Sequence, residues 1–136
     1  MYKNILVAID PSHGPDQVDA LHMATHLAED ATSEITAITV VEPIPPAVLS
    51  MAPGDFAEKA GDLVLADLRT LIGERSEVKP VIRHGKAGPT IVEYATEHDI
   101  DCIVIASHRP GLSDYFLGST AGRVVRHAQC TVHVMR

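Results

Sequence analysis

Short apolar runs rich in β-branched residues recur at positions 5–9, 35–41, 78–82, Cys102–Ala106 and Thr131–Met135. Each is nearly continuous rather than alternating, the pattern of strands covered on both faces. Between them the apolar positions take a helical period. Over residues 16–31, Ala20, Met23, Ala24, Leu27, Ala28 and Ala31 fall on one stripe. Over residues 55–72 the stripe is Phe56, Ala60, Leu63, Val64, Leu68, Leu71 and Ile72, the strongest periodicity in the chain. Gly88-Pro89 predicts a helix start with Pro at the first helical position, leading into Ile91, Val92 and Ala95. A last helix is expected from Ser119 or Thr120, carrying Val124, Val125 and Ala128. The resulting β-α-β-α-β-α-β-α-β order predicts one α/β domain over residues 1–136, a doubly wound five-stranded parallel sheet with helices on both faces and right-handed crossovers. Residues 42–54 hold Pro43, Pro45, Pro46 and Pro53 and read as a loop, long for such a connection.

Composition narrows the function classes. With 136 residues and 46% hydrophobic positions, the chain can build one real core. Eleven Lys and Arg against 18 Asp and Glu give a net charge of −7, and no basic cluster breaks this balance. Such a surface repels a phosphate polymer, so no nucleic-acid partner is expected. Aromatic residues are 4% with no Trp, too few for a base-stacking platform. A single small phosphate ligand stays compatible, because a helix start can hold an anion without a basic patch. The apolar runs are too short to span a membrane and the N-terminus lacks the pattern of a signal peptide. A cytoplasmic protein without membrane insertion is therefore expected. Cys102 and Cys130 read as small core residues in a reducing compartment.

In an open α/β sheet, ligands bind beyond the carboxyl ends of the strands where strand order reverses. Three segments converge there. The first strand leads into Asp10 and the turn Pro11-Ser12-His13-Gly14-Pro15, the second ends at Val40-Val41-Glu42, and the fourth ends at Ala106 and opens into Ser107-His108-Arg109-Pro110. Gly118-Ser119-Thr120 then offers close backbone approach, hydroxyls and unpaired N–H groups at a helix start. The same residues also fit an ordinary N-cap. Asp10 suits either a ribose contact or an Asx turn into Pro11, and Arg109 either a phosphate contact or a solvated loop charge.

The run from Ile103 to Met135 (IVIASHRPGLSDYFLGSTAGRVVRHAQCTVHVM), with YKNILVAID at the start, resembles the universal stress protein family, most closely its F- and G-type members. The likeness spans the whole chain and is strongest in the last third. It implies a Rossmann-like fold of the adenine nucleotide alpha-hydrolase type, a homodimer pairing through Thr131–Met135, and ATP, ADP or AMP as ligand, with magnesium as a possible companion. The nucleotide-binding pattern G-x2-G-x9-G-[S/T] is altered here. Ala106 and Arg109 stand at the first two glycines, and eight residues rather than nine precede Gly118-Ser119. Position by position, the resemblance implies that Asp10 contacts ribose, Ala8 lines the adenine floor and Val40 meets the adenine edge through its backbone. Ala106, Ser107, His108, Arg109 and Pro110 would run along ribose and phosphates, and Gly118, Ser119, Thr120 and Ala121 would hold phosphate. It implies a regulatory stress-response module rather than a committed catalyst. The alternatives are a slow ATP hydrolase or self-phosphorylating protein assisted by His108, Arg109 or Ser119, and an interaction module without nucleotide.

Other chemistries fit less well. His22 and His26 have a chelating spacing with Glu29 following, yet no convincing fourth ligand. Gly118-Ser119-Thr120-Ala121-Gly122 is not the G-x-S-x-G elbow of a hydrolase, and no Walker lysine is present. A phosphoacceptor receiver would place Asp at the end of the third strand, where Arg83-His84-Gly85 stands. No helix follows the last strand in this sequence, so that strand is expected to form an edge that a second chain covers.

Overall fold

The computed structural model describes residues 1–13, 15–107 and 117–136, Pro15 by its backbone alone. The elements run β1 (Asn4–Ala8), a 3-10 turn (Pro11–His13), α1 (Pro15–Leu27), β2 (Glu34–Val41), α2 (Pro46–Met51), α3 (Phe56–Ile72), β3 (Val78–His84), α4 (Ala87–Glu97), β4 (Cys102–Ala106), α5 (Ser119–His127) and β5 (Thr131–Met135). The five strands form one parallel sheet in the order β3-β2-β1-β4-β5. The chain thus winds outward from β1 to β3 and then returns to lay β4 against the other side of β1. Strand order reverses between β1 and β4, and the expected ligand crevice lies there.

Two apolar cores sandwich the sheet, which explains the continuous runs in the sequence. Ile5, Val7, Ala37, Cys102 and Val104 pack against Ala20, Leu21 and Ala24 of α1 and Leu68 and Ile72 of α3. The alternate residues Leu6, Ile38, Ile103 and Ile105 meet Ile91, Tyr94 and Ala95 of α4 and Ala121 and Val124 of α5. Successive side chains of a strand point to opposite faces, so a strand covered twice is apolar at nearly every position, the buried Thr36 and Thr39 of β2 being exceptions. The two cysteines follow the same rule. Cys102 is buried in the first core, whereas Cys130 packs against the second, so the sheet lies between two free thiols.

The structure departs from the sequence pattern in four places. Helix α1 ends at Leu27 rather than reaching Ala31, because Tyr2 captures the next carbonyls and amides: its N–H donates to Leu27 O at 3.0 Å and its carbonyl accepts from Glu29 N at 2.9 Å. The proline-rich stretch is interrupted by the short helix α2, which begins with Pro46 at a helix position that needs no N–H donor. Helix α4 begins at Ala87, so Pro89 is its third residue. Helix α3 buries only Leu68 and Ile72 fully, and Leu63 of its stripe is 68% exposed. Its twelve residues before Leu68 rise roughly 18 Å, at about 1.5 Å per residue, and carry no fully buried side chain. No helix among the described residues is long and apolar enough to cross a membrane.

Candidate functional site

The carboxyl ends of β1, β2 and β4 and the start of α5 enclose a cavity of about 210 Å³. Its floor is apolar, from Ala8, Ile38, Val40, Ile91 and Ile105, and its rim carries Asp10, His13, Gln17, Thr39, Ser107, Ser119 and Thr120. Among the residues expected from sequence, Ala8, Asp10, Val40, Ala106, Ser107, Gly118, Ser119, Thr120 and Ala121 all line it. His108, Arg109 and Pro110 lie outside the described residues.

Helix α5 enters the cavity wall uncapped. Gly118 is its N-cap, extended at ψ 154°, and no side chain caps the first turn. Ser119 and Thr120 are the first helical residues instead of caps. The first intrahelical bond runs from Gly122 N to Gly118 O at 2.7 Å. The N–H groups of Ser119, Thr120 and Ala121 therefore have no intrahelical acceptor, and they stand at the positive end of the helix. No Lys or Arg is among the described lining residues, so an anion here meets backbone donors. A Cβ on Gly118 would lie 3.4 Å from the Ser107 carbonyl, which keeps the approach of these two walls close.

Asp10 is fixed by its own turn. Its Oδ1 accepts from Ser12 N at 3.1 Å and Ser12 Oγ at 2.6 Å, and its Oδ2 pairs with His13 Nδ1 at 2.8 Å. The Asx turn and the place on the cavity rim are thus one arrangement, not alternatives. The Asp10 N–H donates to Gln17 Oε1 at 2.9 Å, anchoring the turn to α1. Thr39 Oγ1 donates to Ile9 O at 3.0 Å. Ser107 gives both its N–H, at 2.8 Å, and its hydroxyl, at 3.2 Å, to Met135 O, so the cavity wall is bolted to the edge strand β5.

Sequence reasoning did not single out Ile9, His13, Gln17, Ile38, Thr39, Ala87, Ile91 or Ile105 as cavity residues. Ile38 and Ile105 were legible as strand-end neighbours of Val40 and Ala106. Ala87 and Ile91 belong to α4, whose start reaches the cavity only because the chain crosses the sheet before β4. The His22 and His26 pair is engaged elsewhere: Arg75 donates to His22 Nε2, and His26 Nδ1 donates to the His22 carbonyl at 2.8 Å. No group of three His, Cys, Asp or Glu among the described residues could hold a metal ion. Away from the cavity, burial pushes the Cys102 thiol up to about 11, helped by Cys130 and Asp101, and burial also raises that of Cys130.

The family model of the universal stress proteins matches residues 1–136. The chain belongs to the universal stress protein family. Universal stress protein G of Escherichia coli O157:H7 is 29% identical over 143 residues, covering 100% of both chains. The solved structure of universal stress protein UspA from Lactobacillus plantarum is 31% identical, covers 99% of this chain and 98% of its own, and superposes with a TM-score of 0.68. Two solved structures share the fold at lower identity. One is a universal stress protein in complex with cAMP, 18% identical over 99% of this chain and 97% of its own, TM-score 0.71. The other is the Archaeoglobus fulgidus universal stress protein in complex with dAMP, 21% identical over 99% and 98%, TM-score 0.58.

Proposed function

We propose that this universal stress protein binds an adenine nucleotide in the cavity between β1 and β4 and acts as a cytoplasmic, homodimeric regulatory module rather than a committed catalyst. One observation carries the reading: an apolar floor shaped by Ala8, Ile38, Val40 and Ile105 faces, across the same cavity, the uncapped start of α5. The floor suits a flat base, and the Ser119, Thr120 and Ala121 amides suit a phosphate. The cAMP and dAMP complexes of two relatives support it, since both ligands are adenylates on this fold. Asp10 is the one carboxylate among the described lining residues, so magnesium would arrive with the phosphates of ADP or ATP rather than sit in a protein cage. The dimer pairs through Thr131–Met135, an edge strand of the sheet.

The test begins with native isolation and identification of any bound nucleotide by mass, followed by titration with AMP, ADP, ATP and adenosine. Ser119→Pro then removes one N–H at the first helical position, where proline is well tolerated. Its expected effect is about a tenfold loss of AMP affinity with adenosine binding unchanged, while Ser119→Ala stays near wild type. A protein that binds none of the four at millimolar concentration sinks the reading. Formation of ADP from ATP over hours would make it a slow hydrolase instead.

A further inference from the structure

Gln17 stands in the first turn of α1, is 6% exposed, and lines the cavity. Its amide orientation is set by chemistry: a backbone N–H bonds only to an acceptor, so the atom that takes the Asp10 N–H at 2.9 Å is Oε1. The Nε2 group, with its two donor hydrogens, has no hydrogen-bond partner among the described residues. No described side-chain nitrogen or oxygen is both sealed from solvent and unpaired, so Nε2 keeps surface, and Gln17 is one of the residues that line the cavity. An amide held by its oxygen, with its donor end reachable from a cavity, is available to a ligand acceptor. Beside it is the Asp10 carboxylate, held by Ser12 and His13 but retaining acceptor capacity, since a carboxylate takes about four hydrogen bonds.

A donor and an acceptor on residues that line one cavity and are joined by the Asp10 N–H bond suit a group that both accepts and donates on neighbouring atoms. Phosphate oxygens only accept and are repelled by Asp10, whereas the vicinal hydroxyls of a ribose fit both partners. We propose that Gln17 is a specificity-determining residue that donates from Nε2 to one ribose hydroxyl oxygen while Asp10 accepts from the other. This inference rests on the nucleotide reading above.

Calorimetric titration of AMP, 2′-deoxy-AMP and 3′-deoxy-AMP tests it in the wild type, Gln17→Glu and Gln17→Met. The Glu variant keeps an acceptor for the Asp10 N–H and replaces the donor by a second carboxylate on the cavity wall. All three nucleotides then weaken, and the ratio of AMP to the deoxy forms is what is read; this variant guards against a Met variant that fails to fold. Wild type is expected to favour AMP by about tenfold over the deoxy form that lacks the hydroxyl bound by Gln17. Gln17→Met should abolish that preference, weakening AMP and the other deoxy form together while leaving this form unchanged, and should keep the preference that Asp10 supplies. Variants that keep the wild-type preference over both deoxy forms, or a wild type that shows none, overturn the role of Gln17 and leave nucleotide binding standing. A wild type that binds none of the three overturns both readings together.

Discussion

At one edge of the sheet β3 turns outward the backbone of Val78, Pro80 and Ile82, and at the other β5 turns outward that of Val132 and Val134. The assignment follows from two bonds. Gly85 N donates to Val41 O and Ser107 N donates to Met135 O, so odd-numbered residues of both strands face their sheet neighbour and even-numbered ones face out. On β3 the central outward position is a proline, which has no N–H to offer, and Lys79, Arg83 and His84 are exposed around it. Arg83 also lies 5.1 Å from the centre of the Tyr94 ring. On β5 both outward positions are valines with intact N–H groups, and only Thr131 is exposed. Charge and proline are the usual devices that stop a strand from pairing with another chain. One edge carries them and the other does not, which is why the proposed dimer uses β5.

The largest effect should come from Val134→Pro. It removes an outward donor without touching the ladder to β4, so the monomer should keep its fold while the dimer dissociates, as read by light scattering and thermal melting. A dimer that survives rejects β5 as the interface. Next, Gly85→Ala strikes the β3 flank. Gly85 has φ of 143°, and a Cβ there would lie 2.8 Å from Thr90 Oγ1. A loss of about 1–3 kcal/mol in denaturant unfolding is expected, with the dimer intact. Smaller again is Ser107→Ala, which cuts the hydroxyl bond from the cavity wall to Met135 while leaving the backbone bond. About 0.5–1.5 kcal/mol of stability should be lost. AMP affinity is expected to drop with it, because β5 and the cavity share that residue. Pro80→Val should change monomer stability least and expose a second edge, seen as weak association beyond the dimer at high concentration.

The contrast between the edges was half visible in the sequence. Pro80 interrupts the run at 78–82, which fits an edge strand, whereas Thr131–Met135 carries no proline. Which backbone groups point outward needed the register. The cavity was legible where it is built from strand ends and a helix start, at Asp10, Val40, Ala106 and Gly118, because a winding rule alone brings those points together. Gln17 was not legible, since its role depends on α1 folding back so that one amide meets the Asp10 N–H. The stripe of α3 was legible as a helix and misleading as a core, because periodicity records which face is apolar and not how far the sheet extends beneath it. Leu63 and Leu68 share that stripe, yet one is 68% exposed and the other fully buried.

The remaining effect concerns the β5 flank at high pH, and its sign is set by burial. Cys102, on β4 and in register with Thr131, is buried, and its thiol is raised from 9.0 to about 11. Between those values the unfolded chain has lost this proton and the folded chain has kept it. The unfolded state then binds fewer protons, so stability falls as pH rises from 9 toward 11 and the contribution is fully present below 9. Lysines and tyrosines titrate in the same range, which makes the comparison with a variant the informative one. Cys102→Ala should be less stable than wild type at neutral pH, through the lost packing, but should show a shallower decline in alkali. The β3 flank has no thiol, and Gly85→Ala should decline in parallel with wild type. An identical alkaline slope in Cys102→Ala would mean that the thiol ionises as readily in the folded chain as in the unfolded one, against its burial between the sheet and α1.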